Sequence, residues 1–228
     1  MSGFDEKRAR MVERQLRRRG IADMRVLEAM AEVPRELFVG KGLQSRAYRD
    51  GALPIGEEQT ISQPWIVAAI CQSLGLLGHE RVLEIGTGSG YSTAIVSRLA
   101  AAVISLERIE VLAFEADRRL RRLGCENAEV RVADGTLGLP DGAPYDAIAV
   151  HAAAPAMPPA LVSQLEVGGR MVLPLVDGSA EQLTLVVRGA SEFDAATGAG
   201  LELTSIAACR FVPLVGEQGF SGFTDAAR

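Results

Sequence analysis

The run Val82-Leu83-Glu84-Ile85-Gly86-Thr87-Gly88-Ser89-Gly90-Tyr91 constrains this chain more than any other. Four residues of buried-strand character lead into three glycines at alternate positions, and a helical pattern follows. Glycine accepts positive φ and lets a ligand approach the backbone, while the start of a helix presents amides without partners. A plain strand-to-helix turn needs fewer glycines than Gly86, Gly88 and Gly90 provide. The segment therefore reads as a ligand-binding turn at the carboxyl end of a strand.

From residue 81 onward, strands alternate with helices. Strands are expected over 82–85, 102–106, 129–132, 145–150 and 170–175, with helices over 91–101, 109–123 and 159–165. Such alternation implies an α/β, doubly wound sheet with right-handed crossovers. After Pro174, strands over 182–188 and 201–208 flank a Gly/Ala/Thr-rich turn, which predicts an antiparallel C-terminal hairpin at one edge of a mostly parallel sheet.

Ahead of this core, a charged helix over 4–19 ends in Arg17-Arg18-Arg19-Gly20, where cations suit the helix dipole and glycine supplies the stop. A second helix runs from a cap at Asp23 to Val33, before Pro34. Residues 40–63 show no clear period and are long for a connector, which marks them as mobile or functional. Pro64 then opens a helix to residue 77. The expected organisation is one domain over 1–228, with N-terminal helices and a loop over 1–63 capping a ligand-binding core over 64–228.

Composition narrows the function classes. With 48% hydrophobic residues the chain can bury a substantial core, and its net charge of −5 argues against general affinity for nucleic acid or anionic membrane. The triple arginine is accordingly read as a helix end. No apolar run has the length of a membrane span, and the first residues lack the apolar stretch of a secretory signal. Cys71, Cys125 and Cys209 are widely spaced and odd in number, which suggests free thiols and a cytoplasmic protein. The two histidines, His79 and His151, form no metal-binding spacing, so no metal site is expected. No Gly-x-Ser-x-Gly elbow accompanies them, which disfavours a hydrolase.

The acid at position 84 bears on the cofactor. A dinucleotide fingerprint places its third glycine one step later, and a carboxylate beside a diphosphate is repelled. S-adenosylmethionine carries a sulfonium and an ammonium and no phosphate, so Glu84 favours the methyl donor; the plainer reading is a strand-end acid paired with a nearby cation. Glu107 ends the next strand, where a carboxylate can accept ribose hydroxyls. Asp134-Gly135 closes the third, where adenine would lie.

With these motifs in place, the sequence resembles the protein L-isoaspartate (D-aspartate) O-methyltransferases. The resemblance runs from Val33-Pro34-Arg35 to Phe211-Val212-Pro213-Leu214. Its most specific part is Ala52-Leu53-Pro54-Ile55-Gly56 followed by Gln59-Thr60-Ile61-Ser62-Gln63-Pro64; the glycine turn, Glu107-Arg108-Ile109 and Tyr145-Asp146-Ala147-Ile148 also match. It implies a Rossmann-like class I methyltransferase that uses S-adenosyl-L-methionine and repairs damaged proteins. The acceptor is the free α-carboxylate of L-isoaspartyl, and in the family also D-aspartyl, residues of proteins and peptides.

On this resemblance Ser62 is the active-site serine and, with Trp65 as an aromatic wall, binds the acceptor. Thr60, Ile61, Glu84, Gly86, Thr87, Gly88, Ser89, Glu107, Arg108, Asp134 and Gly135 form the cofactor set, and a monomer is expected. The acceptor carboxylate has a pKa near ~4 and is already ionised, so the site needs alignment rather than a general base. The sequence departs from the family pattern at Glu57-Glu58, expected to face solvent, at Ala133, and at His151, which stands where a small residue is usual. The rival readings are a different carboxylate acceptor on the same fold, a nicotinamide-dependent oxidoreductase, and a catalytically silent binding module.

Overall fold

A computed structural model describes residues 3–221 apart from 192, 195 and 196. A seven-stranded sheet is built from β3 (Arg81–Ile85), β4 (Ala102–Glu107), β5 (Ala128–Val132), β6 (Tyr145–Val150), β7 (Leu165–Asp177), β8 (Ala180–Arg188) and β9 (Leu201–Cys209). Their order across the sheet is β5-β4-β3-β6-β7-β8-β9. Neighbours from β5 to β7 are parallel, whereas β8 and β9 run antiparallel at the far edge. The order reverses between β3 and β6, and the carboxyl ends of those strands flank the crevice where this architecture binds ligands.

Alternation along the strands divides the core. Val82, Ala147, Ala149 and Val172 face the cluster that holds α3 (Pro64–Leu74) and α4 (Tyr91–Val96), while Leu83, Ile85, Ile148 and Val150 face that of α6 (Pro159–Gln164). Burial on both faces explains why these strands read as nearly unbroken apolar runs. Each fully buried Leu, Ile or Val contributes about 1.5–3 kcal/mol.

The N-terminal helix is segmented where a continuous one is expected. α1 (Gly3–Met11) passes into a π-turn at Val12–Leu16 and a 3-10 turn at Arg17–Arg19, and Gly20 ends it at φ 92°. Met11 and Leu16 are both buried. Residues five apart stand about 140° apart on a regular α-helix, and the wider π-turn brings both to the core side. α2 (Met24–Glu32) starts as expected, with the Asp23 carboxylate accepting from the amides of Arg25 and Val26. α4 is shorter than the 91–101 expected, because the Asn127 side-chain amide takes the carbonyls of Ser97 and Ala100 out of the helix.

The segment over 40–63 holds more structure than its pattern suggests. A 3-10 turn at Lys41–Arg46 precedes an antiparallel hairpin of β1 (Leu53–Gly56) and β2 (Gln59–Ile61). Its strands are too short for a period to show. The turn is Glu57-Glu58, both exposed and both at positive φ, 50° and 57°. The remaining helix, α5 (Glu110–Arg122), connects β4 to β5. No helix among the described residues is long and apolar enough to cross a membrane.

Candidate active site

The glycine turn has the backbone its composition implies, with Gly86, Gly88 and Gly90 at φ 89°, 53° and 87°. A Cβ at Gly88 would stand 3.3 Å from the Ile55 methyl of the hairpin, and one at Gly90 would stand 3.2 Å from Ala116. The turn is thus closed in at Gly88 and Gly90, and a side chain there would displace its neighbours as well as strain the backbone. Glu107 fastens it: one carboxylate oxygen accepts from Gly88 N at 2.8 Å and the other from Ile109 N at 3.0 Å.

Below the turn lies a chain of hydroxyls. Thr87 and Ser105 are 2.6 Å apart, and the Ser105 hydroxyl donates to Glu84 Oε2 at 2.6 Å. Thr93 donates to the same oxygen. Glu84 is fully buried, and its Oε1 lies 3.1 Å from His151 Nε2, with no hydrogen bond to it from any described residue. Burial opposes the charge on Glu84, but His151, Ser105 and Thr93 outweigh it and hold the carboxyl below its usual range. His151 Nε2 is also 2.8 Å from the Ser92 hydroxyl.

Above the turn opens a cleft. Thr60, Ile61, Ser62, Gly86, Thr87, Gly88, Ser89, Glu107, Arg108 and Gly135 line it together, as do Val212–Val215 and His151. A second chamber adjoins it, bounded by Asp50, Gln63, Ile66 and Arg210 among others. Thr60, Ser62, His151 and Val212 belong to both and form the partition.

Three residues read from the sequence as site members stand elsewhere. Glu84 does not reach the cleft: three polar side chains draw its carboxylate beneath the floor. Asp134 also turns away, accepting from the Thr136 amide and hydroxyl and from Glu217 N at 2.8 Å, so it braces the C-terminal segment that carries Val212–Val215. Trp65 lies outside both chambers. Its indole N–H satisfies the Arg19 carbonyl at 3.1 Å, which a helix end leaves without a partner, and the Arg19 guanidinium covers its ring at 5.1 Å.

One residue with a clear positioning role escaped the sequence reading. Arg35 is completely buried, stacks on the Tyr91 ring at 4.8 Å, and donates to the carbonyls of Ala47 and Ser62 at 2.8 and 2.7 Å. It holds both ends of the segment that carries the hairpin. An arginine among the apolar residues of Val33-Pro34-Arg35-Glu36-Leu37-Phe38 was the available signal.

A sheet ending in an antiparallel pair, with a glycine turn and a strand-end acid lining the cleft at its switch point, is the architecture of class I methyltransferases. Residues 6–219 match the family described as protein-L-isoaspartate(D-aspartate) O-methyltransferase, and the chain belongs to that family. It is 52% identical to protein-L-isoaspartate O-methyltransferase 1 of Syntrophobacter fumaroxidans, over 97% of this chain and 100% of the relative. Identity to the protein-L-isoaspartate O-methyltransferase of Syntrophus aciditrophicus is 47% over the same shares. A solved protein-L-isoaspartate O-methyltransferase superimposes with a TM-score of 0.81 at 31% identity, over 93% of this chain and 67% of its own. The fold is also that of a Plasmodium falciparum relative solved with S-adenosyl-L-homocysteine, at a TM-score of 0.76 and 22% identity over 93% of this chain and 98% of that one.

Proposed function

We propose that this chain methylates the free α-carboxylate of L-isoaspartyl residues in proteins and peptides, with S-adenosylmethionine as donor. The observation that carries the reading is the partition: Ser62 borders both the cleft above the glycine turn and the chamber beside it. The donor, when bound, supplies an electrophilic methyl group on a sulfonium. The residues suit it, since positive-φ glycines expose backbone in the cleft floor, Glu107 offers carboxylate oxygens to a ribose, and no lysine is among the described residues that line the cleft.

The chain's own part is alignment. Ser62 has its carbonyl pinned by Arg35 and its hydroxyl free of partners among the described residues, so that hydroxyl can donate to the acceptor carboxylate at the partition. An ionised carboxylate is already a nucleophile, and holding it in line is the main requirement. The buried thiols of Cys71 and Cys125 fit a reducing compartment, and we place the protein in the cytoplasm.

The test is a pair of peptides differing only in isoaspartate against normal aspartate. Methyl incorporation into the first alone is expected; equal labelling of both, or of neither, would overturn the reading. Binding of NADH in place of S-adenosylhomocysteine would overturn the choice of donor.

A further inference from the structure

β5 is an edge strand, and its free side has a symmetry of its own. Asn127 O accepts from Val103 N, and Ala133 N donates to Glu107 O, so the backbone groups of odd-numbered residues turn toward β4. Those of Val130 and Val132 point away from the sheet without strand partners, as does the Ala128 carbonyl, while the Ala128 amide donates to Cys125 O.

On the side-chain faces, Glu129 and Arg131 share one side as a 2.7 Å ion pair. Val130 and Val132 share the other, where they form a groove with Val111 and Phe114 of α5. Val111, Phe114 and Val132 are 48%, 68% and 57% exposed, a concentration of apolar surface beside an open strand.

We propose that this edge pairs with β5 of a second copy of the chain, antiparallel and centred on Val130. In that register Val130 exchanges both backbone hydrogen bonds with its counterpart, and the Ala128 carbonyl accepts from Val132 N of the other copy. Glu129 then lies opposite Arg131 at the closely spaced, non-hydrogen-bonded position, once on each side of the two-fold axis. Charges on an edge usually discourage pairing. Here their signs select the register instead, because centring on residue 129 or 131 sets like charges face to face and aims backbone groups already bonded to β4.

The same two-fold brings the α5 grooves together over Val130 and covers Phe114. The cleft opens at the carboxyl end of the strands, so in an antiparallel pair the two clefts face opposite edges of one continuous sheet. Both stay open to protein substrates. This pairing differs from the monomer expected from the sequence.

Sedimentation equilibrium of the full chain across the micromolar range tests it, with S-adenosylhomocysteine titration as the check on folding. A reversible dimer is expected. Arg131→Glu sets like charges opposite each other twice and should weaken it by about tenfold, and adding Glu129→Arg should restore it. Val130→Pro removes the outward N–H and should give a monomer that still binds S-adenosylhomocysteine. A wild-type chain that stays monomeric would overturn the proposal. So would a dimer indifferent to Arg131→Glu, or one not restored by the charge swap.

Discussion

His151 Nε2 lies 3.1 Å from Glu84 Oε1, and through that contact a residue of the partition is tied to a carboxylate sealed beneath the cleft floor. Replacing His151 with alanine removes the polar side chain that stands beside a buried carboxylate oxygen. Because Thr93 and Ser105 still donate to the other oxygen, the loss should be about 1–3 kcal/mol, that of leaving one buried polar atom without its neighbour. Urea denaturation at neutral pH measures it.

The same carboxylate shapes stability in acid. Its folded pKa lies below the ordinary 4.5, so its contribution is complete above about pH 4.5 and is lost as the pH falls through the lower folded value. Glu84→Gln should flatten that part of the acid limb. It should also leave affinity for S-adenosylhomocysteine nearly unchanged, because the side chain does not line the cleft. A large loss of affinity would return Glu84 to the cofactor set.

Glu107 has the opposite expectation. Its carboxylate bonds Gly88 N and Ile109 N and faces the cleft, so Glu107→Ala removes two charge-assisted bonds and a ligand group together. At about 1.5–3 kcal/mol for such a bond, S-adenosylhomocysteine should bind roughly 10- to 100-fold more weakly by calorimetry.

Ser62→Ala should reduce turnover on an isoaspartyl peptide by roughly 10- to 100-fold, the worth of one hydrogen bond to a charged group. Cofactor affinity should survive. An unchanged rate would remove Ser62 from the reaction.

The hairpin turn carries two glutamates in a conformation that favours Asn-Gly. Replacing Glu57-Glu58 with that pair should stabilise the protein by about 1 kcal/mol in thermal or urea unfolding. Both side chains are exposed at the tip, so the catalytic rate should hardly change. A clear change in rate would place the tip against the acceptor.

What the sequence disclosed follows from the range of the interactions involved. β3, the glycine turn and α4 are adjacent in the chain, and their geometry depends on local pattern and on φ values only glycine adopts readily; that part was legible. Glu84 was placed in the cofactor set because its position along the chain is right, yet the direction of its side chain is decided by Ser105 and His151, both far along the chain from it. Asp134 likewise answers to Glu217, 83 positions on. Trp65 was drawn to Arg19, a pairing that required knowing where the N-terminal helix ends.

Arg35 grips carbonyls, not side chains, at Ala47 and Ser62. Its hold is therefore blind to what those positions are: any residue brings the same oxygen. The segment's shape and its chemistry are written in separate places, one in a buried guanidinium and the other in a hydroxyl at position 62. Evolution, or an engineer, can rewrite the second without disturbing the first.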